Sequence, residues 1–214
     1  MIYDFLNPEN ALVWRIVHRD NLAWLVQHGI QCANSTTRSM SWVTIGNQEL
    51  IDKRDTREVP IGNGGTLNDY VPFYFTPFSP MLYNIYTGYN GIPHQKNEDI
   101  IILVSSLHKL QEWRVKFIFT DMHAYSALAT FHSDLSNLDQ VDWSILQKLD
   151  FKRDINDLQK MERYQAEALI YDSCPITSIE YIVCYSDKVT NDIQNILNLN
   201  NISIRVATRS EWYF

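Results

Sequence analysis

The sequence has little that would staple, break or anchor a chain. Its 214 residues include only three cysteines, Cys32, Cys174 and Cys184, an odd number with no CxxC pair. This excludes a disulfide scaffold and a zinc site on paired thiols, and it suits a reducing, cytoplasmic setting in which the thiols are small core residues. Seven Gly and seven Pro are too few for a collagen-like or low-complexity chain. The longest purely apolar run covers only residues 100–104, far short of the ~20 residues a membrane span needs. The opening stretch through Leu6 already carries Asp4, so it does not read as a signal peptide. Basic charge is also scarce: 18 Lys and Arg stand against 25 Asp and Glu, for a net charge of -7. Non-specific capture of a phosphate backbone depends on Lys and Arg, so any nucleic-acid site has to be a local patch.

What is present is a hydrophobic fraction of 45% and an aromatic fraction of 13%, with six Trp and twelve Tyr. That composition describes one globular domain over residues 1–214. Residues 13–17 (VWRIV) read as a strand, followed by a helix over 21–28 with Asp20 as cap and Gly29 as stop. Residues 33–58 turn polar and irregular, about twice the usual length of a connection. Such a stretch is disordered or functional. Next come a Gly-rich turn, an aromatic strand over 71–75, and a helix capped by Ser79 with Pro80 at its first position. Strands are expected at 100–104, 115–120, 166–171, 179–185 and 202–207, and helices at 143–149 and around Ile193, Ile196 and Leu197. Strands and helices alternate without a βαβα rhythm, which favours an α+β domain with a largely antiparallel or split sheet.

Several common chemistries fail on spacing. Gly62, Gly64 and Gly65 are followed by Thr66 and Leu67 where a P-loop needs Lys and Ser or Thr. No dinucleotide fingerprint, GxSxG elbow or metal-ligand cluster exists, so no metal is expected. Five residues remain as candidates. Arg15 sits on an otherwise apolar strand, where a charge needs a partner or a ligand. Glu167 lies between Ala166 and Ala168 at the entry to a strand, either solvated at an edge or aimed into a cleft. Arg54 lies among charges and by composition reads as a solvated loop residue. His18 and His123 follow strands and fit either hydrogen-bonding or chemical roles.

At these residues the chain resembles the DarT-type toxins, DNA ADP-ribosyltransferases of bacterial toxin-antitoxin pairs. The shared blocks run in order: WRIVHRDNL, KRDTREVP, GGTLNDYVPFYFTPFSPMLY, FTDMHA, QAEALIY and the closing EWYF. The resemblance implies an ADP-ribosyltransferase fold, a split and mostly antiparallel sheet around an NAD cleft with flanking helices. It also implies mono-ADP-ribosylation of a base in single-stranded DNA, most often thymidine, from NAD as co-substrate, neutralised by a macrodomain antitoxin.

By position, Arg15, Ile16 and Val17 match the first strand of the NAD site, with Trp24 and Cys32 as further contacts. Residues 37–56 match the element folded over NAD. Arg54 matches the functional arginine, Glu167 the catalytic glutamate, and the stretch between His123 and Glu167 the substrate-presenting loop. His123 is expected to orient NAD or the base. Lys152, Arg153, Lys160 and Arg163 read either as a solvated, charged connector or, with the resemblance, as a basic cluster for DNA with Tyr164 to stack a splayed base. Phe78 stands where many members carry Arg, and Ala168 replaces a common aromatic. The same chemistry on RNA or protein, or a non-catalytic single-strand-binding module of this fold, are the alternatives.

Overall fold

The computed structural model describes residues 3–37 and 39–214; Met1, Ile2 and Arg38, the last within the 37–56 stretch, lie outside the described residues. The apolar, β-branched run at the start forms β1 (Leu12–His18), which leads through a 3-10 turn into α1 (Leu22–His28). His18 caps that turn by accepting from the Asp20 amide, and α1 starts from Asn21 without a side-chain cap, so the cap expected of Asp20 is not formed. Gly29 ends α1 at φ 72°, and a Cβ there would meet the Cys174 carbonyl oxygen at 2.9 Å. Only glycine permits that approach, which lets β2 (Ile30–Gln31) pair with a strand late in the chain.

The polar stretch holds a helix that its composition hides, α2 (Gln48–Arg54), capped by Asn47, whose side chain accepts from the Leu50 amide. Then follow β3 (Tyr70–Tyr74) and α3 (Pro80–Thr87), the latter with the expected Ser79 cap. Next are β4 (Ile100–Ser106), α4 (Leu107–Glu112), β5 (Phe117–Thr120), β6 (Phe131–His132), α5 (Trp143–Gln147) and α6 (Lys160–Tyr164). The chain closes with β7 (Glu167–Tyr171), β8 (Ser173–Cys174), β9 (Tyr181–Cys184), α7 (Asp187–Leu199) and β10 (Arg205–Thr208). The last strand begins three residues later than its alternating pattern suggests, because Ile202 and Ile204 belong to the loop that leaves α7.

Eight strands form one sheet in the order β10-β9-β4-β1-β3-β7-β5-β6, and β2 pairs with β8 apart from it. All neighbours in the large sheet are antiparallel except β9 and β10, which run parallel around α7. A parallel pair needs such a crossover. α7 buries Val189, Ile193 and Leu197, four residues apart, along one stripe.

The sheet is split in the middle. β1 pairs with β4 along its whole length but with β3 only through Trp14 and Tyr74. Pro72 lies on β3 at this seam, and its carbonyl accepts from Arg15 Nη1 at 2.7 Å. In a strand the N–H and C=O of one residue point the same way, so the donor that proline lacks also faces the seam, where no ladder bond is lost. Among the described residues no helix is long and apolar enough to cross a membrane.

Candidate active site

β7 carries Glu167 at its first position, opposite Tyr74 of β3, with Ala168 facing Phe119 of β5. The Glu167 amide donates to Thr120 Oγ1 at 3.1 Å, and that hydroxyl donates to the Met122 carbonyl at 2.6 Å. This folds the turn after β5 back over the carboxylate, so that the Ala124 amide donates to Glu167 Oε1 at 3.0 Å. The Glu167 residue is 1% exposed. It is not solvated at an edge.

Its charge partner is Arg54, at the last position of α2 and also buried. Nη1 of Arg54 lies 2.9 Å from Oε2 and 3.2 Å from Oε1. The solvated loop arginine expected from local composition is thus a buried ion pair, because the carboxylate that requires it comes from a distant strand. His123 stands beside the pair, with Nε2 3.6 Å from Glu167 Oε1 and Nδ1 3.9 Å from Glu162 Oε2.

In front of this pair lies a cleft of about 720 Å3. Arg15, Ile16, Val17, Trp24, Cys32 and Arg54 all line it, as does His123. Glu167 is not among the lining residues, whereas Arg54, which donates to it, is. Burial pushes the Arg15 guanidinium down to about 10, so it stays charged at neutral pH. Its Nε and Nη2 of Arg54 are buried donors with no hydrogen-bond partner among the described residues. Unpaired buried donors are costly, and two of them on arginines that line one cleft suit an anionic or carbonyl-rich ligand. Burial and the nearby Glu167 carboxylate raise the Tyr74 phenol well above its usual value, so it remains a neutral donor.

Other residues of the site carried no signal of their own. Asn21, 3% exposed, clamps Val43 from both sides: its amide donates to the Val43 carbonyl and its oxygen accepts from the Val43 N–H, each at 2.8 Å. Asn68 donates to the Ile51 carbonyl at 3.0 Å. These two amides fasten the polar stretch across the cleft. Trp42 from that stretch meets Trp24 edge to face at 5.7 Å, and together with Met81 of α3 it completes the wall. The Asn47 cap and the Glu49–Lys53 pair of α2 are the local signals that could have exposed this helix.

The basic cluster expected for DNA is largely spent inside the protein. Arg163 is held by Asp157 at 2.7 and 3.0 Å and by Asp142 at 3.0 Å, while Lys160 is buried against Asp150 at 2.6 Å. Tyr164 is 1% exposed, and its hydroxyl donates to the Phe78 carbonyl at 3.2 Å. A ring in that position cannot stack a splayed base; it was drawn inward by Phe151 and the buried Phe78. Of the cluster, Lys152 and Arg153 remain exposed.

The family model for DarT, ssDNA thymidine ADP-ribosyltransferase, matches residues 14–214. The chain belongs to the DarT family. The domain is 52% identical to a DNA ADP-ribosyl transferase of Escherichia coli O127:H6 (strain E2348/69 / EPEC), over 100% of each chain. Two solved structures of Thermus sp. 2.9 DarT share its fold. One, in complex with ADP-ribosylated ssDNA, has a TM-score of 0.89 at 33% identity, covering 97% of this chain and 98% of the other. The other, in complex with NAD+, has a TM-score of 0.83 at 34% identity, covering 97% and 100%. The seam between β1 and β3 in this DarT-family protein is therefore the split of an ADP-ribosyltransferase sheet. No group of three or more His, Cys, Asp or Glu able to hold a metal occurs among the described residues.

Proposed function

We propose that this DarT-family enzyme transfers one ADP-ribose from NAD+ to a thymidine base of single-stranded DNA, as a cytoplasmic bacterial toxin neutralised by a macrodomain antitoxin. The observation that carries the reading is the Arg54–Glu167 pair, buried at the inner end of a cleft of about 720 Å3. The two unpartnered guanidinium donors of Arg15 and Arg54 support NAD+ as the occupant, since the pyrophosphate and carboxamide supply the acceptors they lack.

Cleavage of the bond between nicotinamide and ribose leaves an electron-poor, oxocarbenium-like sugar, stabilised by a fixed carboxylate that accepts from the ribose hydroxyls. Glu167 is fixed for this by the Ala124 amide and Thr120. Arg54 pairs with it, so ribose binding exchanges an Arg54–Glu167 contact for a ribose–Glu167 contact and releases the guanidinium towards the reacting groups. The polar stretch latched by Asn21 and Asn68 keeps water from the sugar.

In thymidine N1 already bears deoxyribose, which leaves N3 as the ring nitrogen with a proton to lose. As N3 attacks, its proton passes to solvent and the electron pair of the broken bond departs with nicotinamide, which leaves as the neutral base. A guanidinium does not accept a proton near neutral pH, so Arg54 acts by stabilising the developing base anion. His123, set between Glu162 and Glu167, orients the base or NAD+.

Incubation with labelled NAD+ and a panel of single-stranded DNA, duplex DNA, RNA and protein tests the reading. Label on single-stranded DNA that disappears with Glu167→Ala is the expected outcome. Label confined to RNA or protein would reassign the acceptor.

A further inference from the structure

Asn21 stands at the N-cap position of α1, where an asparagine ordinarily accepts from its own first turn, yet its side chain makes no such cap bond. It turns to Val43 instead, 22 residues on: Nδ2 donates to the Val43 carbonyl and Oδ1 accepts from the Val43 N–H, each at 2.8 Å. A side-chain amide that pairs both backbone groups of one residue imitates an antiparallel neighbour. Val43 is fastened as it would be at a sheet edge, although it lies outside any strand.

Asn68 makes a second hold. Buried in the 3-10 turn that leads into β3, it donates to the Ile51 carbonyl of α2 at 3.0 Å. Between the two holds Ile45 is buried in the core, and Val43, Ile45 and Ile51 all line the cleft. The two asparagines therefore close one wall of the cleft, and both come from outside the stretch they hold.

A closed wall matters because of what competes for the sugar. An oxocarbenium-like ribose is open to any nucleophile at hand, and water reaches it first unless it is kept out. In that competing reaction a water oxygen bonds to C1′ of the ribose while the bond from C1′ to nicotinamide breaks. The electron pair leaves on neutral nicotinamide, one water proton passes to solvent, and the product is free ADP-ribose. We propose that Asn21 and Asn68 are positioning residues that decide how NAD+ is divided between base and water, and that release of this latch turns the same site into an NAD+ glycohydrolase. The assignment rests on the proposed transfer from NAD+ and gives each asparagine a weight: Asn21 contributes two hydrogen bonds to the closed wall and Asn68 one.

The test compares Asn21→Ala and Asn68→Ala with Asn97→Ala, which removes a buried asparagine bond of the same kind, to the Phe214 carbonyl at 2.8 Å, away from the cleft. Nicotinamide release without DNA reports hydrolysis, and label on a thymidine-containing single-stranded oligonucleotide reports transfer, each beside a thermal melt. Each hydrogen bond lost favours opening, so the ratio of hydrolysis to transfer rises roughly 5- to 150-fold in Asn21→Ala and roughly 2- to 12-fold in Asn68→Ala. Hydrolysis itself rises in both, and Asn97→Ala keeps the wild-type ratio whatever its melting temperature. An unchanged ratio in Asn21→Ala, hydrolysis and transfer that fall together, or the same rise in Asn97→Ala overturns the assignment. If the wild type transfers nothing to single-stranded DNA while the unlatched variants release nicotinamide faster, the acceptor reading falls and the latch stands. Wild-type transfer with an indifferent ratio removes the latch alone.

Discussion

Arg54 reaches both oxygens of Glu167 through one guanidinium nitrogen, at 2.9 and 3.2 Å, across 113 residues of sequence. Both side chains are almost fully buried, at 8% and 1% exposure. A pair so placed is expensive to break from one side only, because the survivor is left charged and unmatched.

Arg54→Met and Glu167→Leu should each therefore lose about 3–5 kcal/mol of folding stability. The double replacement should recover most of that loss, since two apolar side chains of similar volume leave no orphaned charge. Chemical denaturation of the three variants checks this, with an additive double variant as the contrary result. All three should be inactive.

Glu167→Gln keeps the shape of the site while leaving Arg54 without its counter-charge, so its activity is read beside a thermal melt that shows it folded. The amide keeps an oxygen to accept from Ala124 but no longer opposes the positive charge that grows on the sugar. Transfer from labelled NAD+ should fall by roughly 10²- to 10³-fold, the scale of losing one preorganised electrostatic group. NAD+ affinity should change far less, and an equal fall in both would make Glu167 a binding residue.

Arg153 and Arg163 should answer differently to charge reversal. Arg153 is exposed, so Arg153→Glu should weaken oligonucleotide binding and reduce its salt dependence by about one phosphate contact. Arg163→Glu instead breaks the ties to Asp142 and Asp157 and should lower the melting temperature. Affinity measured across a salt series, beside thermal melts, distinguishes the two; a common pattern would contradict the ion pairing.

The cysteines give a readout that depends on pH. Burial pushes Cys174 and Cys184 up to about 11 and raises Cys32 as well, so each holds less thiolate at neutral pH than a free thiol. Alkylation of the native protein should be slow at pH 7.5 and rise about tenfold per pH unit towards the raised value, because the thiolate is the nucleophile. Cys32 is the cysteine that lines the cleft, so NAD+ should protect it and leave the other two unaffected. Peptide mass spectrometry after timed labelling reports each site, and NAD+-independent labelling of Cys32 would place the ligand elsewhere.

Local chemistry made some of this legible in the sequence. Ser79 and Pro80 announce α3 because a cap and a fixed φ act within one turn, and the apolar run at 100–104 announces the fully buried β4. Glu167 stood out as a carboxylate inside an apolar strand. Arg54 was placed in the site only by resemblance, since its neighbours are charged and its partner lies on another strand. The Asn21 latch and the inward turn of Tyr164 left no trace either, for both depend on packing between distant segments. Charge counted along the chain misled for another reason: Asp142, Asp150 and Asp157, in or just before the same stretch, fold back onto Lys160 and Arg163.

The seam at Trp14 and Tyr74 gives the protein an unusual dependence on what it consumes. Arg15 and Trp24 belong to the half built on β1, and Glu167 and Tyr74 to the half built on β3 and β7. A dinucleotide bound in the cleft would touch both plates and act as a rivet across this seam of the sheet. At a hundred times its dissociation constant such a ligand adds about 2.7 kcal/mol to folded stability. When NAD+ falls, as it does while the enzyme spends it, the molecule loses that rivet and becomes easier to unfold.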